Sequence, residues 1–145
     1  MMKDKFKQAY MDVAERFSQL STAQKLHVGS IIVKDDRIIS IGYNGTPSGW
    51  DNVCEDEIQV GNVTQLVTRS EVLHAETNAI AKLACCSESG KDAAIFITHS
   101  PCIDCAKMIY QAGITSVYYR NEYRCTDGLA FLEKCGLHVE QVDNA

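Results

Sequence analysis

The order of the apolar runs is what most constrains the fold. From Val28 to Val33 the chain is almost continuously small or apolar, Asp35-Asp36 interrupts it, and Arg37 to Tyr43 resumes with Ile38, Ile39 and Ile41. Two such runs around a short polar break predict a hairpin of two strands. Three further apolar, β-branched runs follow at Ala93 to Thr98, Thr115 to Tyr119 and Leu137 to Val142. The segments before them suit helices, roughly His74 to Ser87, Cys102 to Gln111 and Asp127 to Lys134, and Gly113 and Gly136 stand behind the last two as stop signals. Helices alternating with strands build parallel crossovers with helices on both faces of a sheet, and the opening hairpin adds an antiparallel pair. The expected fold is α/β, a three-layer α/β/α sandwich around a mixed five-stranded sheet.

Ahead of the hairpin, Phe6, Tyr10, Val13, Phe17 and Leu20 recur at steps of four and three, which predicts an amphipathic helix packing that stripe on the sheet. Between Tyr43 and His74 lie about thirty residues of weak periodicity, far beyond an ordinary connection of about five, and loops of that length are usually functional. At 145 residues, with no linker, repeat or low-complexity tract, residues 1–145 are expected to form a single domain.

The formal charge of −5 argues against a polyanionic partner, because nucleic-acid binding draws on clustered Lys and Arg. A small-molecule substrate is expected, and no nucleic acid polymer. No apolar run approaches membrane-spanning length and residues 1–6 lack a signal-peptide pattern, so no membrane partner and a cytoplasmic location are expected. Seven cysteines, an odd number without secretory context, favour metal ligation or reduced thiols over a disulfide framework.

Two of these cysteines carry the strongest chemical signal. Pro101-Cys102-Ile103-Asp104-Cys105 follows a predicted strand and opens a predicted helix. Cysteines three apart share one face of a helical turn, so both sulfurs can reach one tetrahedral ion. The partial positive charge of the helix N-terminus favours the thiolate that binds zinc. Redox dithiols and structural zinc knuckles share this spacing, so it leaves those readings open. His74-Ala75-Glu76 opens another predicted helix. One His with Cys102 and Cys105 makes three ligands and leaves a fourth position for water, the pattern of a catalytic site. Glu76, two residues from His74, does not share its helical face, which suits a general acid and base beside the metal. Taken singly, His74 could be a cap or core residue, and Glu76 only a favourable charge at a helix start.

H-x-E followed by P-C-x-x-C is the signature of zinc deaminases, in which the Glu is not a ligand. Together with Gly42-Tyr43-Asn44-Gly45-Thr46-Pro47, His74-Ala75-Glu76-Thr77-Asn78-Ala79-Ile80 and Ser100 to Lys107, it makes the chain resemble the deoxycytidylate (dCMP) deaminase family of the cytidine deaminase superfamily from about Val28 to Gly136. The resemblance implies a cytidine deaminase-like fold and hydrolysis of dCMP to dUMP and ammonia, feeding thymidylate synthesis. It implies zinc on His74, Cys102 and Cys105, Glu76 as the proton shuttle, Asn44 on the sugar, the Ala75 amide on the base carbonyl and Tyr123 near the nucleotide. It further implies a homo-hexamer activated by dCTP and inhibited by dTTP, with magnesium accompanying the triphosphate and Gly42, Tyr43, Asn44 and Gly45 concerned in effector binding. His27 stands where the family usually has Lys, and the His-rich insertion that supplies a second zinc in some phage members is lacking, which leaves a single zinc.

Two rival readings stay open. One is a deaminase of another nucleoside or nucleobase, such as cytidine or tRNA adenosine; the other is a zinc-binding module without catalysis. Arg69, Arg120 and Arg124 are candidates for the substrate phosphate. Cys54, beside Glu55-Asp56-Glu57, is a weak candidate for a second metal, whereas Cys85 and Cys135, late in predicted helices, are expected to be buried thiols.

Overall fold

The computed structural model describes residues 2–144. Helix α1 (Asp4–Ser18) leads into the hairpin β1 (Gly29–Lys34) and β2 (Arg37–Tyr43), and a second hairpin follows, β3 (Glu55–Val60) and β4 (Val63–Thr68). Then come α2 (Ala75–Leu83), β5 (Ala94–His99), α3 (Ile103–Gln111), β6 (Ser116–Asn121), α4 (Asp127–Lys134) and β7 (His138–Gln141). Five strands make one mixed sheet in the order β2-β1-β5-β6-β7, with β1 antiparallel to both neighbours and β5, β6 and β7 parallel.

Side chains alternate across this sheet, as the two-residue period of a strand requires. Ile31, Val33, Phe96 and Tyr118 join Met11 and Ala14 of α1 in one cluster. Ile32, Ile95, Ile97 and Val117 join Ala79 and Leu83 of α2, Ala106 and Ile109 of α3 and Leu132 of α4 in the other. The three layers expected from the order of runs are therefore present, with α1 alone on one face and three helices on the other.

Local chemistry explains most boundaries. Asp35 and Asp36 both take positive φ, 51° and 59°, in a two-residue turn that matches the twist of its strands. Gly136, at φ 85°, ends α4 by donating its N–H to Glu133 O at 3.0 Å while Leu137 N–H reaches Leu132 O at 3.1 Å, both bonds of a Schellman motif. Gly113, at φ 86°, closes α3 with a bond to Tyr110 O.

Four expectations need correction. The stripe on α1 is displaced by one residue: Lys7, Met11, Ala14 and Ser18 are buried, while Phe6 and Leu20 are each 47% exposed. Gly29 explains this, since a Cβ there would lie 2.1 Å from Ala14 O and 2.8 Å from Ser18 N. At that point the helix lies backbone against strand, with only the small side chains of Ala14 and Ser18 at the contact. The long connection is not irregular but holds the β3–β4 hairpin, turned by Gly61 at φ 62° and Asn62 between Val60 and Val63. Helix α2 ends at Leu83, so Cys85 is exposed, and Cys135 is only half-buried. Arg120 is 6% exposed and already committed to the fold. Its guanidinium donates to Asp12 Oδ1 at 3.2 Å, Gln8 Oε1 at 3.0 Å and Val142 O at 3.3 Å, tying α1 to β6 and the segment behind β7. It is not a phosphate ligand. Removing a buried, triply bonded cation strands its acceptors, so Arg120→Ala is expected to cost about 3 kcal/mol in chemical denaturation while leaving KM for the substrate unchanged.

Candidate metal centre and substrate cavity

Helices α2 and α3 begin at the same end of the sheet, and His74 and Cys102 occupy the position just before the first turn of each. Residues there commonly cap their helix, but neither side chain makes a capping bond, which leaves both free. Cys105 sits one turn into α3, with its Sγ 3.3 Å from His74 Nδ1; Cys102 Sγ lies 3.7 Å from the same nitrogen. All three ligand atoms fall within 4.8 Å of one another. Metal bonds of about 2.0 Å to nitrogen and 2.3 Å to sulfur at a tetrahedral angle span an N···S edge of about 3.5 Å, so the trio fits one zinc ion.

Backbone contacts hold this geometry. A Cβ on Gly42 of β2 would lie 2.2 Å from Ala75 O and 2.7 Å from Ala79 N, so α2 rests directly on β2. Ser30 Oγ donates to Ala75 O, Ser40 Oγ to Ala79 O and Asn78 Nδ2 to Tyr43 O, which pins the helix to both strands of the hairpin. Gly45 and Leu73 exchange backbone bonds at 3.1 and 2.7 Å immediately before His74. On the other side a Cβ on Gly128 of α4 would meet Pro101 O at 2.1 Å, so α4 abuts the loop that presents Cys102. No sequence signal marks Gly128 apart from its being Gly in a helix, where it otherwise costs stability.

The electrostatics follow from these placements. Hydrogen bonds from Cys105 and His74 push the Cys102 thiol down to about 4, so it is a thiolate at neutral pH. The bond to Cys102, with burial, raises Cys105 above its ordinary value, and the two sulfurs share one proton. The bond to Cys102 likewise raises the His74 imidazole. Glu76, in the first turn of α2 and 4% exposed, is pushed up by burial.

A cavity of about 500 Å³ opens beside the trio. His74, Ala75, Glu76, Cys102, Asn44, Tyr123 and Arg124 all line it, so residues flagged from distant parts of the sequence are brought together. Asn44 Oδ1 accepts from Val28 N–H and its Nδ2 donates to Leu26 O, leaving one N–H and one lone pair uncommitted. Tyr123 is held at the wall by its N–H to Ser100 Oγ at 2.7 Å. Of the effector segment, Gly42 is buried and serves packing, while Tyr43 is 36% exposed. Arg69 pairs with Asp56 at 2.9 Å and is absent from the cavity lining, and Cys54 Sγ is near Thr22 Oγ1 at 3.6 Å, within no metal-ligand group among the described residues. Sequence reasoning missed Lys25, Glu55 and His99 as cavity residues. Lys25 comes from the connection before β1 and Glu55 is the first residue of β3, and no periodicity marks them.

The model of the cytidine and deoxycytidylate deaminase zinc-binding region matches residues 4–121. ComE operon protein 2 of Bacillus subtilis is 39% identical over 140 residues, 94% of this chain and 70% of that protein. The deoxycytidylate deaminase of Mycobacterium phage D29 is 32% identical over 120 residues, 78% of this chain and 92% of its own length. The crystal structure of dCMP deaminase from the cyanophage S-TIM5 in complex with dCMP and dUMP superposes with a TM-score of 0.88 at 48% identity, covering 97% of this chain and 99% of that one.

Two outcomes are expected from this geometry. Zinc must displace the proton that Cys102 and Cys105 share and any proton on His74, so zinc uptake at pH 7 is expected to release at least one proton per site, read by an indicator dye in weak buffer, and to weaken as the pH falls. Gly42→Ala must push α2 off β2, and a loss of about 3 kcal/mol in stability together with impaired zinc retention is expected by denaturation and metal analysis.

Proposed function

The chain belongs to the cytidine and deoxycytidylate deaminase family, and from that membership we propose that it is a zinc-dependent enzyme that hydrolyses dCMP to dUMP and ammonia. The observation that carries this reading is the buried Glu76 carboxyl set beside His74, Cys102 and Cys105 at one cavity. The likeness to a structure described as binding dCMP and dUMP supports the choice of nucleotide.

His74, Cys102 and Cys105 would hold zinc, which would acidify a water toward a pKa of about 7 and so supply the nucleophile. Glu76 takes a proton from the attacking water and delivers it to N3 of the cytosine ring as the new C–O bond forms at C4. A second transfer through the same carboxyl protonates the 4-amino group, the C4–N4 bond breaks, ammonia leaves and the carbonyl of uracil remains. Burial raises the proton affinity of Glu76, as an acid and base working near neutral pH requires. The Ala75 N–H, in the first turn of α2 without a helical partner, suits the base carbonyl. The uncommitted N–H and lone pair of Asn44 suit the sugar, and the Tyr123 ring suits packing against the nucleotide. Arg124 lines the cavity and is the arginine of the three candidates left for the phosphate.

Regulation belongs to the same reading: activation by dCTP and inhibition by dTTP, each with magnesium, in a cytoplasmic homo-hexamer. Two contacts support a route to the active centre. Asn78 of α2 binds Tyr43 O, and Gly42 touches the backbones of Ala75 and Ala79, so a displacement of residues 42–45 moves the helix that bears Glu76. Ile58, Val60, Val63 and Val67 of the second hairpin are exposed, which supports burial between subunits. Among the described residues no helix is long and apolar enough to cross a membrane.

A UV assay on dCMP, cytidine, dCTP and adenosine tests the substrate, with the highest kcat/KM expected for dCMP. Glu76→Gln is expected to keep zinc and fold while kcat drops about 10³-fold; full activity in that variant would remove Glu76 as the proton carrier, whereas a native protein that holds zinc and turns over none of these substrates would leave only a zinc-binding module. Adding dCTP or dTTP with magnesium to the dCMP assay, alongside light scattering for subunit number, tests regulation and assembly, and rates indifferent to both effectors would remove the regulatory part.

A further inference from the structure

Glu55 opens β3 at the cavity wall and is 5% exposed. Its Oε2 accepts hydrogen bonds from the backbone N–H of Gln24 at 2.8 Å and of Lys25 at 3.0 Å. Its buried Oε1 has no hydrogen-bond partner, and it is the one buried side-chain oxygen or nitrogen so placed among the described residues. A carboxylate oxygen taken out of water without a donor is costly, and folded proteins rarely retain one unless something else completes it. The fold already obtains what it needs from Oε2, so the orphan oxygen is surplus to structure.

We propose that Glu55 recognises the sugar of the substrate, its free carboxylate oxygen accepting a hydrogen bond from the 3′-hydroxyl. This rests on the dCMP reading, and the chemistry of dCMP then leaves a single partner. At neutral pH the nucleotide carries hydrogen-bond donors in two places, the 4-amino group and the 3′-hydroxyl. The amino group must lie beside Glu76 and the metal ligands, because it departs there as ammonia. The phosphate offers acceptors and negative charge, both of which a carboxylate repels. Only the 3′-hydroxyl can satisfy Glu55.

The surroundings agree. Asn44 holds Leu26 O and Val28 N while Glu55 holds Gln24 N and Lys25 N, so two polar side chains brace consecutive parts of one wall. Both line the cavity, and both keep bonding capacity beyond what the wall uses. A hydroxyl bonded to an ionised acceptor forms one of the stronger neutral-to-charged contacts, and a site built for a hydroxyl rejects the analogue that lacks it.

The test compares kcat/KM for dCMP and 2′,3′-dideoxycytidine monophosphate in the native enzyme and in Glu55→Gln, with zinc content and Tm measured alongside. The native enzyme is expected to prefer dCMP by about 30-fold or more, and Glu55→Gln to compress that preference to about fivefold or less with zinc retained. A merely structural role for Glu55 would slow both substrates alike and leave the ratio unmoved, which overturns the proposal. Native indifference to the 3′-hydroxyl, a preference below about threefold, overturns it whether or not the variant folds. Should Glu55→Gln lose its zinc or its Tm, Glu55→Asp takes its place, and the same unchanged ratio decides. Native enzyme with no turnover of dCMP overturns the substrate reading and the Glu55 assignment together, whereas dCMP turnover without discrimination overturns the assignment alone.

Discussion

At the metal-binding end of this protein, main chain lies against main chain with no side chain between. Gly42 lets α2 rest on β2, and Gly128 lets α4 rest on the loop that carries Cys102. Each contact removes about the width of a methyl group from the distance between two elements. Since the ligands sit at the starts of α2 and α3, that width decides whether His74 and the two sulfurs fall within reach of one ion. A metal bond tolerates a few tenths of an ångström, and a displaced Cβ demands more. The glycines therefore carry as much of the site's accuracy as the ligands do.

The same arrangement sets the charges. Two helix N-termini point their unpaired N–H groups toward one region, which favours thiolate at Cys102 and offers amides for an incoming base. Against this, Glu76 is buried deeply enough that its carboxyl holds its proton more strongly than an exposed one. Neighbouring acidic groups at the starts of two helices are thus pushed in opposite directions, Cys102 down and Glu76 up. That divergence suits the two roles proposed for them, metal binding at Cys102 and proton transfer at Glu76.

Much of the fold was legible because its signals are local. The break at Asp35-Asp36 and the stops at Gly113 and Gly136 are single-residue statements about φ, and each stands where the pattern placed it. The clustering of His74, Cys102 and Cys105 was legible because the cysteine spacing repeats one helical turn and both half-motifs open helices, and the three ligand atoms lie within 4.8 Å of one another. What could not be read depends on the approach of distant segments. The α1 stripe shifted because Gly29 brings the backbone of Ala14 and Ser18 directly onto β1, and nothing within α1 announces that. Arg120 looked like a free cation until Asp12 and Gln8, more than a hundred residues earlier, claimed it. The second hairpin is the exception, since Gly61-Asn62 between two valines is a local turn signal that the acidic residues of β3 obscured.

The cavity draws its lining from Ala23 at one extreme to Arg124 at the other, with residues of the first connection, the second hairpin, both helix starts and the turn after β6 between them. Contacts so remote in sequence close late, after the sheet has paired β1 with β5 and β5 with β6. The cavity is thus a property of the assembled sheet and not of any one segment of the chain.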